Sequence, residues 1–184
     1  MIRSLLLRAL LGLALLNAPA QAEDAQALAR ALTAVEREDW DLAEAEARAS
    51  GPLAFDIMEW HRLRAGEGLV ADYVDFVARH GDWPGMPALR KRGEAKLAEA
   101  TPTQVLAYFN GTMPLTGAGA LALSAAHDLM GDGAAAELQH HYSWRNLVLD
   151  AASESELLAR HAERLAPHHD GRMAMLLDAG KAEA

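Results

Sequence analysis

The 184-residue sequence has no cysteine, which removes disulfide scaffolds, thiol nucleophiles and every cysteine-based zinc or iron–sulfur site. The β-branched residues that suit a pleated surface are nearly missing, with 6 Val and 2 Ile against 40 Ala and 29 Leu, and aromatics make up only 5%. A sheet protein is therefore not expected. Basic residues are in deficit, 17 Lys and Arg against 26 Asp and Glu for a formal charge of -9. That balance argues against nucleic-acid binding, which needs a basic footprint to displace counterions from phosphate. What is present is apolar material, 51% of the chain, enough for one domain or one continuous repeat array.

The N-terminus reads as a targeting segment. Arg3 and Arg8 precede the apolar stretch Ala9 to Leu16, and Asn17-Ala18-Pro19 leads into the small-residue triplet Ala20-Gln21-Ala22. The apolar part falls short of the roughly 20 residues a bilayer requires, and Glu23-Asp24 follows at once, so a cleaved signal peptide over 1–22 is expected rather than an anchor. The expected mature chain, 23–184, is then one exported helical domain, most simply periplasmic. Without a cysteine it carries no lipoprotein anchor, and no later stretch would hold it in a membrane.

From Asp24 onward apolar residues recur at three- and four-residue spacing, the signature of amphipathic helices. Leu28, Ala31, Leu32 and Val35 form one stripe, and Leu53, Ile57, Trp60 and Leu63 another. Others are Val70, Tyr73, Val74 and Val77, then Leu121, Leu123, Ala126 and Leu129, then Leu157, Leu158, Ala162 and Leu165. Gly, Pro and Asp punctuate them at 39–41, 50–52, 66–68, 81–87, 101–102, 111–117, 131–133 and Pro167, so about ten helices of roughly three turns are predicted. Thr101-Pro102 predicts a cap with proline in the first helical position, and Ser153 with Glu156 predicts a capping box. Two stretches resemble each other: Glu38 to Glu44 and Gly131 to Glu137 both place a tight turn before an alanine-rich helix. No fixed period near 34 residues runs through the chain. Short helices joined by tight turns pack as antiparallel hairpins, and a row of hairpins is an α-solenoid or superhelix. The expected fold class is therefore all-α, with the solenoid preferred to a compact bundle.

Eight histidines are many for this length, and six of them, His127, His140, His141, His161, His168 and His169, fall in the C-terminal third. No two of the six have the three- or four-residue spacing that puts metal ligands on one helix face. Adjacent ones diverge by about 100° around the axis, and HExxH is absent. They read as surface or cap histidines, with neither a metal nor a cofactor expected. Glu44, Glu46, Glu94, Glu99, Glu154 and Glu156 read as solvated helix faces, because nothing local marks a pocket that would raise a carboxyl pKa. Arg90-Lys91-Arg92 with Lys96 is the only basic cluster. It reads as a solvated face, and Arg90, Lys91 and Arg92 are also the residues available to contact an anionic glycan or another chain. No nucleophile elbow, P-loop or dinucleotide fingerprint occurs.

The turns carry a family resemblance. Trp83-Pro84-Gly85-Met86-Pro87-Ala88-Leu89-Arg90-Lys91-Arg92-Gly93-Glu94 resembles the W-P-G-x-P-x-L-R-x-R-x-E segment in the N-terminal superhelical region of soluble lytic murein transglycosylases. Further signals follow in the same order: Tyr108-Phe109 leading to Pro114-Leu115-Thr116-Gly117-Ala118-Gly119, then Trp144-Arg145, then His169 to Gly180. The last is similar to H-x-x-R-x-x-x-L-L-W-x-G, with Asp178 where that pattern has Trp. Such a replacement would weaken packing onto a following helix pair, so the surface there is expected to be exposed or no longer under constraint.

The resemblance implies a periplasmic protein whose helices wind into a superhelix that helps hold peptidoglycan strands. In that family a separate lysozyme-like domain performs catalysis, with a glutamate next to a serine and later G-L-M-Q and A-Y-N segments. The one Glu-Ser pair here, Glu154-Ser155, is followed by none of these and is expected to be part of a helix start. No catalytic residue carries over. Three readings follow: the non-catalytic front portion of a transglycosylase, a stand-alone scaffold that binds peptidoglycan glycan or a cell-wall enzyme, and an enzyme with an unrecognised helical site.

Overall fold

The computed structural model describes residues 25–180. The expected signal peptide, 1–22, lies outside the described residues. Every regular element among those described is helical, and no strand occurs. Helix α1 covers residues 25–36, α2 Trp40–Ser50 and α3 Pro52–Ala65. Then come α4 (Val70–His80), α5 (Met86–Glu94), a 3-10 turn (Leu97–Glu99), α6 (Pro102–Phe109), α7 (Gly117–Leu129), α8 (Gly133–Asn146) and α9 (Ala151–Leu165). A second 3-10 turn (Ala166–His168) leads into α10 (His169–Asp178). The chain divides into two compact units, one ending at Ala65 and one beginning at Gly66.

In the first unit the interior is mostly alanine, with Met58 and Leu63 the large buried side chains. Ala31, Ala34, Ala43, Ala47 and Ala54 surround Met58, with Leu28, Val35 and Phe55 packed around them. Of the leucines expected in the stripes, Leu63 is fully buried and Leu28 packs against this cluster, while Leu32 and Leu53 are exposed, Leu53 by 65%. Small side chains let backbones approach, so the closest helix faces are the ones that hold alanine, and the stripe rotates by about one position. Arg30 Nη2 pairs with Glu46 Oε2 at 2.8 Å and ties α1 to α2.

In the second unit α7 packs against α6 and α8, α4 packs against α6, and α8 also receives α9 and α10. Tyr73, Phe76, Leu89, Tyr108, Phe109 and Leu123 are buried here. A further cluster joins Trp144, Leu149, Leu157 and Leu165. The buried side of α8 reads Ala136, Gln139, His140, Ser143, Trp144, which has helical spacing but is half polar; a search for apolar stripes passes over it.

The caps test the local reading. Thr101 caps α6 as expected: Thr101 Oγ1 accepts from the Gln104 amide, whose Oε1 accepts from the Thr101 amide at 3.0 Å, with Pro102 first in the helix. The Ser153 and Glu156 capping box does not form. Asp150 is the cap of α9, its Oδ1 accepting from the Ser153 amide at 2.9 Å and its Oδ2 from Ser153 Oγ at 2.8 Å. A carboxylate takes both bonds at once, which a hydroxyl three residues later does not.

The two similar stretches follow one backbone path. Glu38 (φ 57°) and Gly131 (φ 81°) each sit in the left-handed region. The next residue's amide reaches back five positions, Asp39 to the Ala34 carbonyl at 3.0 Å and Asp132 to the His127 carbonyl at 2.9 Å. That aspartate then caps the following helix, Asp39 Oδ1 accepting from Leu42 N at 3.2 Å and Asp132 Oδ1 from Ala135 N at 3.0 Å. A left-handed stop and an Asx cap are thus fused into one four-residue turn, used twice.

Candidate functional site

The segments that carry the family resemblance fold onto one another around Glu94. At the end of α5, Glu94 is only 1% exposed. Its Oε1 accepts from the Leu115 amide at 2.9 Å and its Oε2 from Thr116 Oγ1 at 2.6 Å. Thr116 Oγ1 in turn accepts from the Gly119 amide at 3.0 Å and caps α7. Burial pushes the Glu94 carboxyl above its ordinary pKa, and the bonds from Thr116 and Leu115 pull the other way. The expectation that Glu94 lies on a solvated face is therefore wrong. The α5 face that follows Leu89 turns inward, and the residue aligned with the next turn of chain supplies a carboxylate to its bare amides.

A second set of bonds runs beside it. Tyr108 Oη donates to the Arg90 carbonyl at 2.6 Å, while Arg90 Nη2 donates to Thr112 Oγ1 at 2.6 Å and the Met113 carbonyl at 3.2 Å. A methyl group at Gly93 would stand 2.5 Å from Tyr108 Oη, and one at Gly119 would overlap the Glu94 carboxyl group. Burial, then the neighbouring Glu94, raises the Tyr108 phenol. Ahead of α5, Trp83 packs edge-on to Phe76 with ring centroids 5.6 Å apart. The basic cluster consequently splits: Arg90 is half-buried and occupied with the 112–113 turn, while Lys91 and Arg92 are exposed at the end of α5. Only Lys91 and Arg92, with exposed Lys96, remain to meet an external anion.

The remaining segments also meet. Arg172 lies against Trp144 and bonds its carbonyl at 3.1 Å, and its other terminal nitrogen pairs with Glu154 Oε2 at 2.5 Å. Glu154 is in the first turn of α9, as expected of a helix start, and it is also the partner of a buried guanidinium. Asp178, in the place of the pattern's Trp, is exposed at the end of α10, with Leu177 beside it 57% exposed.

An open groove of about 640 Å³ runs along α7. Leu97, Val105, Ala118 and Leu121 are among its apolar lining, and His140, His161 and Arg160 also line it. His140 is buried at 3% exposure, which overturns its reading as a surface or cap histidine. Its ring stacks on His161 with centroids 3.7 Å apart and planes 27° apart. Two more ring pairs continue along α8, His141 with His168 at 4.2 Å and Trp144 with His169 at 5.4 Å. Burial, then His161, takes His140 down to about 4; burial also lowers His161 and His168. Spacing along the chain gives no sign of these pairs, because each joins α8 to a residue more than twenty positions on; the half-polar face of α8 is the one signal. Among the described residues no three His, Asp or Glu side chains converge to hold a metal ion, and no helix is long and apolar enough to cross a membrane.

Comparison with family models, with curated proteins and with solved structures returns no match to this chain.

Proposed function

We propose that this chain is the N-terminal superhelical portion of a periplasmic soluble lytic murein transglycosylase, associated with peptidoglycan and not catalytic by itself. One observation supports the reading above the others. The motif residues that resemble that family, scattered from Trp83 to Arg172 in sequence, are the ones that interlock in the second unit. Glu94 holds Leu115 and Thr116, Tyr108 holds Arg90, and Arg172 holds Trp144. Residues that recur in order because they build a particular helical stack are expected to pack in this way. The short helices and tight turns fit a solenoid of helix hairpins, which we propose as the architecture. Glu154, the one glutamate beside a serine, spends its carboxylate on Arg172, and this favours a binding role over bond cleavage.

The test is co-sedimentation of the purified protein with intact sacculi at low salt, with the supernatant assayed for 1,6-anhydro muropeptides. Binding without release is the expected result. Binding should weaken in Lys91→Ala/Arg92→Ala, which leaves Arg90 on its turn. Failure to sediment at low salt would remove the glycan-holding role, and release abolished by Glu154→Gln would show that the chain is an enzyme. Sedimentation unaffected by the double substitution would place the contact elsewhere on the surface.

A further inference from the structure

We propose that the His140–His161 stack is a proton-operated latch: ring on ring while both imidazoles are neutral, it holds the last turn of α9 against α8, and it parts when both rings are protonated, freeing that turn and the 3-10 turn after it about a hinge at His161.

Geometry carries the case. The two rings lie nearly parallel at 3.7 Å between centroids, a separation at which neutral imidazoles stack and two imidazolium ions repel. His140 is buried, and its Nδ1 has no hydrogen-bond partner, so no acceptor waits to receive a proton placed there in the closed arrangement. The hinge is already present, because His161 breaks the helical backbone inside α9 with φ -135° and ψ 19°. Residues 162–168 beyond it can swing while the capped stretch 151–160 stays on Asp150.

The surrounding charges set the direction. Arg160 and Arg164 on α9 and His141 on α8 all oppose a positive charge on the stack, and Asp128 at the end of α7 is the carboxylate that favours one. On the 3-10 turn His168 rests on His141, which has Glu137 3.9 Å away, and Arg145 acts on His168 as a further positive charge. His168 moves with the freed turn while His141 stays on α8, so the second ring pair parts with the first. Burial holds His140 at about 4 and lowers His161, whereas released imidazoles return to the ordinary value of 6.5. The open arrangement therefore takes up protons that the closed one refuses. By linkage, opening gains about tenfold per pH unit for each such proton below the ordinary value. Since His140 and His161 both line the groove along α7, the same movement changes its wall.

Amide hydrogen exchange on the full chain tests the latch, at pH 7 and pH 4.5 and corrected for intrinsic rates. Protection of the amides of 162–166 and 168 should fall by about 30-fold or more between the two values, with α2 and α3 unchanged. His161→Phe keeps a ring on the stack and removes one of the two protons, so the fall in protection at pH 4.5 should be clearly smaller in that variant than in the unmodified protein. His140→Phe should likewise reduce the fall, and His140→Phe/His161→Phe should abolish it; if circular dichroism shows that the His140 variants do not fold, the half-buried His161 position and a ring titration of the unmodified protein by NMR carry the test. Two rings titrating independently near 6.5, or protection that is unchanged or lost equally in His161→Phe, would overturn the proposal.

Discussion

Arg172 lies flat on Trp144, its guanidinium carbon 4.1 Å from the indole ring centre, and the same side chain donates to the backbone carbonyl of the residue it covers. One cation thus binds both the face and the main chain of Trp144 while its far nitrogen meets Glu154. Arg172→Ala should cost about 2–4 kcal/mol of stability, because it leaves a buried carbonyl and a partly buried carboxylate without their donor. Arg172→Lys should recover only part, since an ammonium cannot stack and fork at once. Urea unfolding followed by tryptophan fluorescence checks both, and a loss under 1 kcal/mol for the alanine variant would contradict the assignment.

Glu94 predicts a pH dependence of definite sign. Its folded pKa is raised above the ordinary 4.5, so the folded chain keeps a proton that the unfolded chain releases. The corresponding stability is present at low pH and is lost as pH rises through the raised value. Glu94→Gln has no such proton, so its stability relative to the native chain should improve from pH 4.5 toward pH 7. Unfolding midpoints at the two pH values read this directly; a difference that moves the opposite way would mean that the bonds from Leu115 and Thr116 outweigh burial.

At an ordinary helical position Gly→Ala gains about 1 kcal/mol. Gly119→Ala should instead lose about 2 kcal/mol or more, because the added methyl meets the Glu94 carboxyl group. In Glu94→Ala the obstruction is gone, and the same substitution should become neutral or favourable. A double-mutant cycle with a coupling above about 1 kcal/mol is expected; simple additivity would mean that the carboxyl moves aside.

The twin turns predict opposite outcomes at matched positions. Glu38 holds a left-handed backbone that Gly131 holds without strain. Glu38→Gly should raise stability by up to about 1 kcal/mol and Gly131→Ala should lower it by about as much. Thermal unfolding of the two variants decides the matter, and a destabilised Glu38→Gly would show that its side chain contributes more than the backbone strain costs.

Backbone chemistry was readable from sequence where it is local. Thr101-Pro102, the Gly51 and Gly131 turns and the likeness of the two Asx turns all depend on residues within five positions of each other. Apart from the Asp150 cap of α9, mistaken for one at Ser153, what sequence missed joins distant segments. Glu94 looks like any helix-surface glutamate until the 114–119 turn is laid over it, and the spacing that excluded a shared face for His140 and His161 on one helix is irrelevant when the rings come from two. Arg90, read with Lys91 and Arg92 as one patch, differs from them because only its side chain reaches the 112–113 turn. In the stripes, close approach of α1, α2 and α3 favoured alanine faces over leucine faces.

That alanine interior has a thermal consequence. A methyl group removes far less apolar surface from water than an isobutyl group, and exposed apolar surface is the main source of the heat-capacity increase on unfolding. The unit formed by α1, α2 and α3 should therefore have a small heat-capacity increment for its length. Its free energy of unfolding then curves weakly with temperature, so the unit holds a modest margin over a broad range and has no sharp optimum.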